Sequence, residues 1–187
     1  MSHYTVAVFM PDDKQSVDDL LAPYSEHIEV APYRKNGELT TYNPNSKWDW
    51  YKIGGRWQGE LILKSKKKGL RGAPSFKEMS DGYDGAFVRD IDFEAMRKRK
   101  ATELDPDKKA KKDSFIKEEH INRLSQFSTY AVITPDGEWH APGKMGWWGV
   151  SSETPKDERK WRSGYYDRFI KPAIENNWYM VIVDCHI

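Results

Sequence analysis

Two short runs constrain what this chain can fold into more than any other feature. Tyr4–Met10 reads YTVAVFM and Trp178–Asp184 reads WYMVIVD, and both are apolar at almost every position. A strand with one wet face alternates apolar and polar residues, whereas one that is apolar throughout is covered on both faces. Both runs are therefore expected in the centre of one sheet, as parallel neighbours.

Local signals place the other elements. Ser16-Val17-Asp18-Asp19 is a helix start, a serine cap with an acid three residues later, and predicts a short helix near Val17–Tyr24. Asn36-Gly37 is a turn signal, Asn43–Ser46 a loop, and Gly59–Lys64 (GELILK) a strand. Two polar helices follow, one from near Asp92 and one from about Asp107 to Ser125. Pro135-Asp136-Gly137 between Thr129–Thr134 and Glu138–Ala141 predicts a hairpin, proline setting one φ and Gly137 supplying a positive one. Thr154-Pro155-Lys156-Asp157 opens a long helix on which Trp161, Tyr165, Phe169 and Ala173 recur every four residues, with Pro172 distorting or ending it. The element order suits an α+β fold, a ferredoxin-like split βαβ with an antiparallel sheet and helices on one face. Residues 1–187 are expected to form a single domain. Residues 64–125 form a charged, mobile, partly helical insertion in this reading.

Composition narrows the functional classes. Charged residues make up 32% and aromatics 13%, which describes a polar globular chain rather than a disordered one. Net charge is +1, so no overall field favours nucleic acid or membrane. The charge is uneven, however: Lys64–Lys112 holds fifteen Lys and Arg against nine Asp and Glu. The basic runs Arg97–Lys100 and Lys108–Lys112 read either as a phosphate-binding stripe or as solvated helix faces. Cys185 is the single cysteine, so no internal disulfide forms, as suits a reducing cytoplasm. Met1–Met10 lacks a signal-peptide pattern and no run is long enough to span a membrane. Neither phosphate-loop nor dinucleotide nor nucleophile-elbow motifs occur.

The densest chemistry lies in Lys47–Trp57, KWDWYKIGGRW. Trp48, Asp49, Trp50, Tyr51, Arg56 and Trp57 combine aromatic surface with a guanidinium beside a glycine turn, which suits stacking a base and holding its phosphate. Two arrangements are open: Arg56 meets the tryptophans and forms a ligand groove, or it meets Asp49 in a structural ion pair. His140, Trp147 and Trp148 form a second aromatic group that either walls the same groove or caps the sheet. His3, Asp184 and His186 meet if the terminal strands pair, since Asp184 and His186 share one face and Cys185 takes the other. Asp184 and His186 are acid/base candidates. No ligand spacing supports a metal and no cofactor is expected.

The stretch NPNSKWDWYKIGGRW (Asn43–Trp57) resembles the hallmark of a family of uncharacterised proteins from bacteriophages and prophage-bearing bacteria. FSTYAVITPDGEWHAPGKMGWWG (Phe127–Gly149), the aromatic helix after Thr154 and the closing VDCHI (Val183–Ile187) fit the same pattern. The resemblance implies a phage-borne accessory protein of the host cytoplasm that counteracts host defence or metabolism. On that basis the expected partner is a host protein or a nucleotide or nucleic-acid ligand, bound in the Trp/Arg groove, with no membrane. One alternative is an enzyme acting on a phosphodiester, with Arg56 as phosphate clamp and Asp49, Asp184 or His186 as acid/base. The other is a protein-interaction module built on residues 64–112.

Overall fold

The computed structural model describes residues 2–74, 81–104 and 126–187. It is an α+β structure around a mixed sheet. The two apolar runs become β1 (His3–Met10) and β9 (Tyr179–His186), adjacent in the middle of the sheet and paired in register from His3↔His186 to Met10↔Tyr179. They run antiparallel, not parallel as expected. Apolarity on both faces dictates a central position but carries no information on direction.

The remaining strands are β2 (Glu29–Lys35), β3 (Glu38–Tyr42), β4 (Trp50–Gly55), β5 (Ala73–Pro74), β6 (Gly85–Phe87), β7 (Ala131–Ile133) and β8 (Trp139–His140). Across the main sheet the order is β5-β4-β9-β1-β7-β8, and β6 lies beside β4 on the same flank of β9. β2 and β3 form a separate hairpin, turned by Asn36 and Gly37 at positive φ. The sheet is not purely antiparallel, because β7 pairs β1 and β5 pairs β4 in parallel. Its order also departs from the split βαβ arrangement. There the second strand of the hairpin lies against β1, whereas here the first, β7, does so and β8 takes the edge. The reason is visible in burial: β7 is three fully buried apolar residues, whereas β8 is two half-buried ones, suited to an edge.

Alternation along β1 and β9 divides the core into two faces. Ala7, Phe9, Val132, Met180 and Ile182 face one way and pack with Met96, Trp161, Tyr165, Phe169 and Ala173. Tyr4, Val6, Val8, Val181, Val183 and Cys185 face the other way and pack with Leu20 and Leu21. Helices therefore cover both faces, not one. The first face carries α2 (Phe93–Leu104) and α3 (Pro155–Tyr165); the second carries the short α1 (Val17–Leu21), capped by Ser16. α3 starts in the expected capping box, with Thr154 and Asp157 bonded reciprocally and Pro155 at its first position. It passes through a π turn at Tyr166–Ile170 into α4 (Lys171–Glu175). Lys171 N–H bonds Tyr166 C=O, so the register slips by one residue immediately before Pro172, which has no N–H to donate.

Gly59–Lys64 is not a strand. Leu61 and Leu63 make isolated bridges to Tyr83 and Ile91 only, and the Gly59 N–H goes to the Asp84 carboxylate at 2.6 Å. Within the 64–125 stretch, β6 pairs with β9, and Ala86, Val88, Ile91 and Met96 belong to the first core face. The helix expected over about Asp107–Ser125 lies outside the described residues. Among the described residues no helix is long and apolar enough to cross a membrane.

Candidate functional site

The start of β1 and the end of β9 form one end of the sheet, and both strands place polar side chains there on the first face. Asp184 is opposite Thr5, and His186 is opposite His3. His3 Nδ1 lies 2.8 Å from Asp184 Oδ1, with both side chains almost wholly buried. The other oxygen, Asp184 Oδ2, accepts the Arg56 backbone N–H at 3.0 Å. This contact depends on Gly55, which has φ +57; a Cβ there would stand 2.5 Å from Asp184 Oδ2.

A second pair stands beside the first. β4 joins β9 with Trp50 opposite His186 and Lys52 opposite Asp184. Just before β4, Asp49 Oδ1 meets His186 Nδ1 at 2.6 Å. The two imidazoles are 4.9 Å apart, edge to face. Trp50 stacks on His186 at 4.9 Å, turns an edge to His3, and keeps 42% of its surface exposed. A carboxylate can only accept, so each Nδ1 carries the proton and each neutral ring has its free lone pair on Nε2. Neither Nε2 bonds another described residue, and neither is among the sealed polar atoms without a partner. Each pair thus has the form of an oriented general base or acid.

Further along the same face lies a cleft of about 400 Å³, lined by Thr5, Ile182, Trp57, Glu60 and Trp161 among others but by no residue of the two pairs. The Arg56 side chain is exposed and makes no ion pair or hydrogen bond with a described residue. It is therefore not the structural partner of Asp49, which His186 takes instead. Lys52 Nζ is held by Pro74 C=O at 2.8 Å.

The other candidates are distributed differently. Trp48 and Trp50 do not share a side. Trp48 and Tyr51 meet edge to face on the second core face, and Trp48 Nε1 donates to Leu21 C=O at 3.0 Å. Trp48 precedes β4, so strand alternation does not govern it. His140 lies on the far edge strand, against Phe169 and 3.4 Å from Glu138, and is not brought to the pair of dyads. Trp147 opens a 3₁₀ turn. Trp148 follows at φ +68 and 80% exposed. That turn docks on Ser2, whose hydroxyl donates to Gly146 C=O and accepts from Gly149 N–H. Cys185 is buried on the opposite face; burial, then the Asp184 carboxylate, pushes its thiol well up, so it is inert at neutral pH. Among the described residues no three His, Cys, Asp or Glu side chains are arranged to hold a metal.

Sequence reasoning missed Asp84. Its buried carboxylate accepts the N–H of Gly59 and of Gly72, each at 2.6 Å, and Gly54 passes so close that a Cβ would lie 2.8 Å from Asp84 Cγ. The glycines at 54, 59 and 72 were the available signal, since close backbone approach needs something to approach. Comparison of the chain with protein-family models, curated proteins and solved structures returns no match.

Proposed function

We propose that the protein cleaves a phosphodiester of a nucleotide or nucleic acid by paired acid–base catalysis, with His3 and His186 as the catalytic residues. The observation that carries this reading is the adjacency of two histidine–aspartate pairs, each with Nδ1 tied down and Nε2 left for substrate. One neutral imidazole takes the proton from the attacking hydroxyl or water as its oxygen bonds phosphorus. The other, protonated, gives its Nε2 proton to the departing oxygen as the second P–O bond breaks. Asp184 and Asp49 are positioning residues that hold the rings and stabilise the imidazolium. Arg56, exposed beside Asp184, neutralises a non-bridging oxygen, and the open part of Trp50 offers a surface for a base. A purely binding groove has no need of two adjacent histidine–aspartate pairs, one of them almost wholly buried and costly to desolvate.

The test is turnover of bis(p-nitrophenyl) phosphate and of short RNA and DNA oligonucleotides. His3→Ala and His186→Ala are expected to lower kcat by about 10²–10⁴ each. Arg56→Lys is expected to lower activity with Tm unchanged, because its side chain has no partner among the described residues. Absence of turnover by the wild type on all three probes, or full activity in both histidine variants, overturns the proposal.

A further inference from the structure

The bonds around the two histidine–aspartate pairs bear on where the attacking oxygen comes from. The carboxylates are committed to positioning. Asp184 gives one oxygen to His3 Nδ1 and the other to the Arg56 N–H. Asp49 Oδ1 accepts both His186 Nδ1–H at 2.6 Å and the Trp50 N–H at 2.7 Å. Among the described residues Asp49 Oδ2 alone of the four oxygens has no partner, and its charge serves the His186 ring. The groups left to face a substrate are the two imidazole Nε2 atoms. Their rings are 4.9 Å apart, so both nitrogens reach one phosphate with its two bridging oxygens.

Magnitudes then favour one nucleophile. A positioned acid or base is worth about 10²–10⁴ in rate. A nucleophile held within the substrate adds an effective molarity of about 10⁵–10⁸ M, the larger effect. RNA brings that nucleophile, because each 2′-hydroxyl sits beside its own 3′-phosphate. DNA brings none, and would need a water held and activated by groups that the two committed carboxylates do not supply. Trp50 adds a second constraint. His186 stacks on one of its faces at 4.9 Å and 17°, and His3 meets it edge to face at 5.2 Å. No other ring of a described residue touches it and 42% of its surface is exposed, so its outer face is open to a base. A base that stacks there must leave its own neighbour, which a single strand permits at small cost and a duplex does not.

We infer that the substrate is single-stranded RNA, cleaved by transesterification with its own 2′-hydroxyl; this rests on the acid–base reading of the two pairs. The 2′-oxygen bonds phosphorus and passes its proton to Nε2 of the neutral imidazole. The bond from phosphorus to the 5′-oxygen breaks, and that oxygen takes the Nε2 proton of the other, protonated ring. The products are a 2′,3′-cyclic phosphate and a 5′-hydroxyl. The test is incubation of the intact protein with one mixed sequence made as single-stranded RNA, as RNA annealed to its complement, as fully 2′-O-methylated RNA and as DNA, with early products weighed by mass spectrometry. The RNA single strand is expected to give fragments ending in a 2′,3′-cyclic phosphate and beginning with a 5′-hydroxyl. DNA and 2′-O-methyl RNA should react slower by about a thousandfold or more, having lost the internal nucleophile. The duplex should react about tenfold slower, and Trp50→Ala should raise KM on the single strand about tenfold, with Trp50→Phe restoring it. DNA or 2′-O-methyl RNA cut as fast as RNA, or RNA fragments beginning with a 5′-phosphate, overturns the inference and leaves the acid–base reading standing. So does a duplex cut as fast as the single strand, or an unchanged KM in Trp50→Ala. Absence of cleavage in all four overturns the inference whatever the turnover of bis(p-nitrophenyl) phosphate.

Discussion

Asp84 and Asp184 are both fully buried, yet they are held in different ways. Asp84 is met by backbone amides from Gly59 and Gly72, so it ties a loop to the sheet, whereas Asp184 divides its oxygens between an amide and an imidazole. Asp84→Asn turns one acceptor into a donor facing an N–H. It is expected to cost about 1.5–3 kcal/mol, the worth of a hydrogen bond to a charged group, read from urea unfolding. Gly55→Ala forces a methyl onto Asp184 at a positive φ. It should cost about 1–3 kcal/mol and lower activity by tilting His3. Lys47 gives a prediction with a definite sign. Its folded value lies below the ordinary 10.5, so the fold prefers it neutral. The resulting penalty is fully present below the folded value and is relieved as pH rises towards the unfolded one. Lys47→Met should therefore raise Tm at neutral pH, with a gain that shrinks in alkaline buffer.

At the scale of elements, α3 is the clearest case of local instruction agreeing with tertiary demand. Its cap, its leading proline and its stripe of Trp161, Tyr165, Phe169 and Ala173 all point to one helix on one face, and it forms there. Thr154→Ala removes the cap and should cost about 1 kcal/mol, measured by thermal unfolding. The π turn before Pro172 keeps the stripe on the core after the missing hydrogen bond, since Phe169, Ile170 and Ala173 all remain buried. β4 shows the opposite situation. Trp48 and Trp50, just before it and at its start, look like an aromatic platform in sequence, but Trp48 serves the second face and Trp50 the first. Only the pairing of Trp50 with His186 settles the division.

The whole molecule is closed by its ends. β1 pairs with β9 along their full length, and Ser2 and Ile187 exchange two backbone hydrogen bonds at 3.0 Å beyond them. The sheet centre cannot form until the last residues meet the first, a topology of high contact order that slows folding. Amides of β1 and β9 should accordingly exchange with solvent together, and only through global unfolding, whereas those of the β2–β3 hairpin exchange earlier. Mass-detected hydrogen exchange reads both, and separate exchange of β1 and β9 would contradict this account. The same closure builds the candidate site, because His3 and His186 become neighbours only through it.

Features that depend on a few adjacent residues are legible in the chain without its fold. The two apolar runs had to be central, Asn36-Gly37 and Pro135-Asp136-Gly137 had to turn, and Thr154 had to start a helix, because sterics and local hydrogen bonds act over one to four positions. Asp184 and His186 are likewise placed on one face, since strand alternation is local. The direction of β9, the covering of both faces by helices, the edge position of β8 and the partner of Asp49 emerge only when distant segments pack. Each of these is a choice among energetically similar pairings of distant segments, settled by register and by what else must be buried. Asp49 faced Arg56 seven residues away as the nearer partner in sequence, but the antiparallel register of β4 on β9 carried it to His186, at a distance set by the sheet and not by the chain.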